Sequence, residues 1–241
     1  MFWSWHVFFS QLTTAGFAHA AWATLWSASV VEAAAVAGGL MLVAAGRSSV
    51  GALRLAAGLY VWLWRGTPLL VQLLIAYFGL PQIGIRLGVI GSGITTLALN
   101  ESAYIAVLAA AALRAVPPGQ ADAGMSLGLS AWQRFRHVIF PQAFRVFLPV
   151  LGNQYNAMLK TTSLLSVISF SELVEFAQAQ VSLTYRPSEA FAVAALYYLA
   201  LTLLWSGIQK ILEARFATAA RQRTARAGPA GPRRNVRAAI T

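Results

Sequence analysis

Residues 87–113 read LGVIGSGITTLALNESAYIAVLAAAAL, a run whose sole charge is Glu101. A helix needs roughly 20 predominantly apolar residues to cross the hydrocarbon core of a bilayer, and this stretch supplies them. The same pattern recurs along the chain. Residues 24–46 are interrupted only by Glu32, while 66–85 and 190–209 carry no charge. A shorter apolar run, 146–159, is followed by Lys160-Thr161-Thr162-Ser163 before apolar residues resume as far as Phe170. Taken as one crossing with a polar break, it brings the total to five. A second break is expected at Gly66-Thr67-Pro68, after the amphipathic stretch 53–64. Broken helices persist at membrane depth only where the freed backbone faces protein or a water-filled path.

Composition agrees. Of 241 residues, 58% are hydrophobic and 10% charged, whereas a soluble domain carries about 25% charged residues. With a mean hydropathy of +0.63, lipid is the expected main solvent, and one all-α integral membrane domain is the economical reading. The net charge of +11 lies between the apolar runs and in the tail rather than on one basic face, so nucleic acid is not an expected partner. There is no cysteine, hence no disulfide framework or thiolate site. His6, His19 and His137 are scattered, and no metal site or catalytic constellation is expected. The chain is therefore not read as an enzyme.

The opening MFWSWHVFFSQLTTAGFAHA imitates a secretory signal, with Ala18, His19 and Ala20 resembling a cleavage site, yet no Lys or Arg precedes Arg47. We read 1–22 as an aromatic interfacial segment, with Trp3, Trp5 and Trp22 at headgroup depth. Orientation follows from the cations. Arg47 and Arg54 follow the first span, Arg114, Arg134, Arg136 and Arg145 flank the third-to-fourth connection, and Lys210, Arg215 and the tail arginines follow the fifth. The opposite side has Arg86 and Arg186. The positive-inside rule places the N-terminus outside and the C-terminus in the cytoplasm. Residues 23–215 form the transmembrane domain, and 216–241 an expected disordered basic tail, either attracted to anionic lipid or simply solvated.

The connection at about 115–145 is too polar to span and too patterned for a plain linker. Pro117, Pro118 and Gly119 end the preceding helix. Residues 120–129 can form a short helix with Ala121, Gly124 and Gly128 near one face, permitting close approach of another backbone. This is a docking element or an ordinary re-entry turn.

Gln120-Ala121-Asp122-Ala123-Gly124-x-x-x-Gly128, followed by Phe140-Pro141-Gln142-Ala143, resembles the EAA loop of permease subunits in bacterial ATP-binding-cassette (ABC) importers. Further matches narrow the resemblance to the polar amino-acid permeases over about residues 24–215. They include Arg65-Gly66-Thr67-Pro68-Leu69-Leu70-Val71-Gln72, Tyr77-Phe78-Gly79-Leu80-Pro81, Leu99-Asn100-x-x-Ala103-Tyr104, Val116-Pro117-x-Gly119-Gln120 and Leu159-Lys160-x-Thr162-Ser163-Leu164.

The resemblance implies a type I importer (MetI-like) permease fold in the bacterial inner membrane, with a coupling helix that fits a groove on a cytoplasmic ATPase dimer. It also implies a second permease subunit, identical or related, and an extracytoplasmic solute-binding protein. Gln120, Ala121, Asp122, Ala123, Gly124 and Gly128 are the implied docking residues. The chain lacks G-x-x-x-x-G-K-[ST], so no cofactor is expected on it and ATP is hydrolysed by the partner. An ion-coupled secondary transporter is the alternative, but such folds often show paired repeats, and none is evident.

Departures from the family pattern stand out at five positions. Asp122 replaces Glu, Thr161 replaces Asp, Phe140 replaces Leu, and Val107 and Ala110 stand where many relatives have Glu and Arg.

Glu32 and Glu101 lie inside apolar runs and must face protein or water. Asn100, Glu101, Tyr104, Thr67, Gln72, Thr162 and Ser163 are candidates for the translocation path, with interhelical hydrogen bonding as the competing role for Glu101. Arg65 and Lys160 are read as anchors or phosphate contacts. Glu172 and Glu175, three apart, are read as a contact for the binding protein or a solvated helix end.

Overall fold

The structure is a computed structural model that describes the backbone of residues 3–226 and the side chains of residues 3–216. Its described residues are almost wholly helical. Helix α1 (Trp5–Leu12) is capped by Ser4, whose Oγ accepts from Val7 N. Helix α2 (Ala15–Gly46) starts well before the expected residue 24. The reason is packing. Phe17, Ala20 and Ala21 are buried with Leu173, Ala177, Ala190 and Val193, so the N-terminal segment is partly core rather than purely interfacial. Trp3, Trp5 and Trp22 remain exposed. Ser4 N donates to Glu189 Oε1 at 2.8 Å and Tyr197 Oη to the Leu12 carbonyl at 2.9 Å, tying this end down.

After α3 (Gly51–Gly66) the chain bends by 102° into α4 (Leu69–Leu74). Thr67 is extended at φ −120°, ψ 146°, as the ring of the following Pro68 demands. A π turn (Ile75–Gly79) and a 3₁₀ turn (Leu80–Ile83) continue α4 to Gly84, at φ 87°. Helix α5 (Gly88–Arg114) is the third expected crossing. It forms the most extensive helix pair with α2. Small residues allow this contact: a Cβ on Gly39 would lie 2.8 Å from Ile105 Cβ and 3.0 Å from Ala106 N. In lipid, where apolar burial drives little association, such close backbone packing holds helices together.

The loop holds α6 (Gly119–Ser126) and α7 (Ala131–Arg134), and α7 leads through a π turn (Phe135–Ile139) into α8 (Phe140–Thr161). The α-helical geometry ends inside the expected break, Lys160–Ser163, but the chain does not turn there. Helix α8 passes directly into a 3₁₀ turn (Thr162–Ile168), because the Thr161 and Thr162 hydroxyls donate to the Ala157 and Leu159 carbonyls. The true corner is Ser169, left-handed at φ 61°, with a 48° bend into α9 (Leu173–Thr184).

Helix α10 (Pro187–Arg226) runs beyond residue 215, into the first part of the expected basic tail. Ala, Arg and Gln, which make up most of that extension, are good helix formers. The rest of the expected tail, 227–241, lies outside the described residues. Helices α2, α5 and α10 are each long and apolar enough to span a membrane. The count rises to five if each bent pair makes one crossing.

Candidate functional site

Pro68 has no N–H, so the Trp64 carbonyl loses its i+4 donor at the α3–α4 bend. Two side chains replace it. Asn100 Nδ2 donates to Trp64 O at 2.9 Å and to Gln72 Oε1 at 2.9 Å. Gln72 Nε2 reaches Trp64 O at 3.0 Å and Thr67 Oγ1 at 2.6 Å. Thr67, Gln72 and Asn100, three of the expected path residues, thus form one cluster that holds a broken helix.

The other candidates are distributed elsewhere. Glu101, one position on from Asn100, is buried and accepts from Gln154 Nε2 at 2.7 Å. Tyr104 lies at the surface, with the Arg65 guanidinium 5.1 Å from its ring centroid, a cation–π distance. Thr162 is fully buried, its Oγ1 donating to the Leu159 carbonyl at 2.9 Å. Ser163 is half-buried, and its carbonyl accepts from Ser166 Oγ.

Glu172 is not solvated, correcting the reading of a solvated or partner-facing pair with Glu175. It is the N-cap of α9, accepting from Val174 N and Glu175 N at 2.9 Å each, and Tyr198 Oη donates to it at 2.6 Å. Its neighbour Glu175 is half-buried.

In the loop, Gln120, Asp122 and Ala123 are exposed and Ala121 is half-buried. Gln120 Oε1 accepts from Gln142 Nε2 at 3.1 Å, joining α6 to α8. The two glycines do not present one docking face. Gly124 is buried against the loop itself, where an added Cβ would lie 3.0 Å from Arg134 Cγ. Gly128 is exposed and left-handed at φ 73°, closing α6 as its N–H donates to Met125 O and that of Leu129 to Gly124 O. Projecting instead are Met125, Leu127 and Trp132, which are 58%, 79% and 67% exposed. A row of rings, Trp132, Phe135, Phe140, Phe144 and Phe216, connects this loop to α8 and α10 at successive centroid distances of 5.3–6.0 Å.

Val107 and Ala110 line a groove of about 400 Å³ between α2, α3 and α5, whose charged members are Arg47, Arg54 and Arg114. A surface of helices crossing a bilayer, a helix broken at Pro68 and a polar loop with an apolar tip is the architecture expected of a permease. Residues 34–218 match the family described as "Binding-protein-dependent transport system inner membrane component". The chain belongs to this family.

The permease is 37% identical over 179 residues to the probable amino-acid ABC transporter permease protein YckA of Bacillus subtilis (strain 168), covering 74% of this chain and 79% of that one. It is 39% identical over 153 residues to the glutamine transport system permease protein GlnP of Escherichia coli (strain K12), covering 63% and 70% respectively. Its fold is similar to a chain in the crystal structure of an amino acid ABC transporter with histidines, with a TM-score of 0.81, 36% identity and coverage of 89% of this chain and 100% of that chain. An inward-facing structure of the MetNI methionine ABC transporter, at 17% identity, TM-score 0.70 and coverage of 84% and 97%, supports the fold alone. The chain is a multi-pass membrane protein, a permease subunit of an ABC transporter and not itself an enzyme.

Sequence reading missed Gln154 as the partner of Glu101, and the ring row through Phe144. A Gln inside an apolar span is a signal in itself, since it needs a partner on a neighbouring helix. Nothing in the spacing of the phenylalanines singles out a row built from three elements.

Proposed function

We propose that this permease translocates amino acids, polar ones above all, delivered by an extracytoplasmic binding protein across the inner membrane of a bacterium. A separate ATPase dimer binds and hydrolyses ATP, while a second permease subunit, a copy or a relative, completes the path. The similarity to an amino acid ABC transporter chain over that chain's whole length carries this reading. The N-terminus is outside and the C-terminus cytoplasmic, which puts the loop around α6 on the ATPase side. Gln120, Ala121, Asp122, Ala123, Gly124 and Gly128 form the dock. The two glycines shape the loop, and the exposed Met125 and Leu127 supply its apolar tip.

The path runs past the α3–α4 bend, where Thr67, Gln72 and Asn100 are grouped, with Tyr104 on the surface of α5 and Glu101, Thr162 and Ser163 contributing from the interior. The groove at Val107 and Ala110, with arginines and no carboxylate, favours a cargo handled differently from that of relatives carrying Glu and Arg there. Reconstitution into proteoliposomes with the ATPase and binding protein tests the proposal. Amino-acid uptake that requires ATP is expected, and uptake driven by an ion gradient without ATP overturns it.

A further inference from the structure

The groove between α2, α3 and α5 does not stop at its arginines. Leu42 lines both it and a second hollow of about 540 Å³ between the same helices. Together the lining positions follow one face of each helix. On α2 they recur every fourth residue from Ala34 to Gly46, and on α5 every third or fourth from Leu99 to Arg114, the spacing that sets side chains in one row. The second hollow is predominantly apolar. On its wall the Tyr60 and Ser102 hydroxyls lie 2.9 Å apart and close on the Leu99 carbonyl at 2.8 and 2.7 Å. Ala34 precedes Arg47 by thirteen residues, about 20 Å of helix, and one leaflet of hydrocarbon is about 15 Å deep. The groove thus runs from the end of two apolar spans, where Arg47 and Arg114 lie, towards the middle of the membrane.

Three cations converge at that end. Arg54 Nη1 donates to the Ser48 and Ser49 carbonyls at 2.8 and 3.0 Å, which fixes it beside the α2–α3 turn. The guanidinium groups of Arg47 and Arg114 have no hydrogen-bond or ion-pair partner among the described residues, and no carboxylate lines either hollow. Topology asks only that such cations lie on one side of the membrane. It does not ask them to share a groove. A second copy of this chain is a poor source of counter-charge. It has seven carboxylates against 18 Lys and Arg, and Glu32, Glu101, Glu172 and Glu189 are buried. Lipid phosphate is abundant at that depth, and basic pockets between membrane helices take anionic headgroups.

We propose that this groove binds an anionic phospholipid, its phosphate among Arg47, Arg54 and Arg114 and one acyl chain lying along α2 and α5 as far as Ala34. Val107 and Ala110 line the arginine end, where an acidic side chain would compete with the phosphate. The site is separate from the bend cluster of Thr67, Gln72 and Asn100, and it does not rest on the cargo or direction of transport.

The full-length chain, purified in detergent at fixed ionic strength, is titrated with dioleoyl phosphatidylglycerol or the zwitterionic dioleoyl phosphatidylcholine, and bound lipid is counted by native mass spectrometry. Phosphatidylglycerol is expected to bind saturably, with a Kd about tenfold below that of phosphatidylcholine. Arg47→Gln/Arg114→Gln should bring the two Kd values together. The arginines of the basic tail are intact in that variant, so a preference that survives it belongs to the tail and overturns the proposal. Should the double variant fail to fold, Val107→Glu, which sets a carboxylate among the arginines, should abolish the preference in the same way. Ala34→Phe, at an exposed position at the apolar end, should weaken dioleoyl phosphatidylglycerol about fivefold. Dioctanoyl phosphatidylglycerol, whose chains stop short of Ala34, should bind as before. Equal loss for both chain lengths, or for neither, overturns the proposal. Inorganic phosphate is the other source of the same anion. Displacement of phosphatidylglycerol by millimolar phosphate means that the arginines hold a free anion only, and equal Kd values for the two lipids mean that they select none. Either result overturns the site.

Discussion

Pro68 deprives the Trp64 carbonyl of its helical donor, and Asn100 and Gln72 answer it from another turn of the fold. Without Asn100 the carbonyl keeps Gln72 Nε2 as a donor while Gln72 Oε1 loses its own partner, and a lost intramolecular hydrogen bond costs about 1 kcal/mol. Asn100→Leu should therefore lower the Tm of the purified permease by several degrees, whatever it does to transport. A thermal scan showing no change would mean that the amide does not hold the bend.

The same logic separates Glu172 from Glu175. Glu172 caps α9 and receives the Tyr198 hydroxyl, and loss of such a cap costs about 1 kcal/mol. Glu172→Ala is expected to destabilise the fold measurably, while Glu175→Ala leaves Tm nearly unchanged. Equal effects in a side-by-side melt would refute the cap's importance. These roles were only half legible in the sequence. The Gly-Thr-Pro triplet announced a break, since proline's missing N–H is a local fact. That Asn100 supplies the replacement is a matter of how α5 packs on α3, which no local pattern encodes.

At the scale of the element, the loop around α6 shows how composition and geometry diverge. Small residues in the order Ala121, Gly124, Gly128 read as a face open to another backbone. In the structure Gly124 is consumed by Arg134 and Gly128 is spent on a left-handed closure. Their smallness serves the loop's own shape, and the projecting groups are Met125 and Leu127. This distinction has a measurable consequence. Leu127→Asp should abolish copurification of the ATPase while leaving amide exchange in the loop unaltered. Gly128→Ala, forced towards a conformation that costs an ordinary L-residue roughly 1–2 kcal/mol, should instead raise exchange across α6 before any loss of docking appears. Increased exchange in Leu127→Asp would contradict this division of roles.

The ring row carries the loop's position into the membrane. Phe140 and Phe144 sit between Phe135 in the loop and Phe216 on α10. Phe144→Ala removes the middle of that row, so ATPase binding should persist while solute imported per ATP hydrolysed falls. An unchanged ratio in proteoliposomes would show that the row does not transmit motion.

For the whole molecule, hydropathy located the crossings because a span must satisfy a lipid solvent over its entire length, a constraint that leaves a long and local trace. Helix ends were less legible. Apolar residues before 24 and helix-forming residues after 215 extend α2 and α10 beyond the expected bounds. Orientation rests on a different quantity, the asymmetry of Lys and Arg between the connections, which acts during insertion rather than in the finished packing. It can be tested directly because the chain contains no cysteine, so a single introduced thiol reports on its own location. Ser126 lies exposed at the end of α6, and Ser188 lies exposed at the start of α10. In sealed vesicles of known sidedness, a membrane-impermeant maleimide should label Ser126→Cys from the cytoplasmic face alone and Ser188→Cys from the outer face alone. The reverse pattern would place α6 outside, beyond reach of any cytoplasmic ATPase, and would remove the orientation and the docking assignment together. Labelling of both positions from one face would instead show that an even number of crossings separates them.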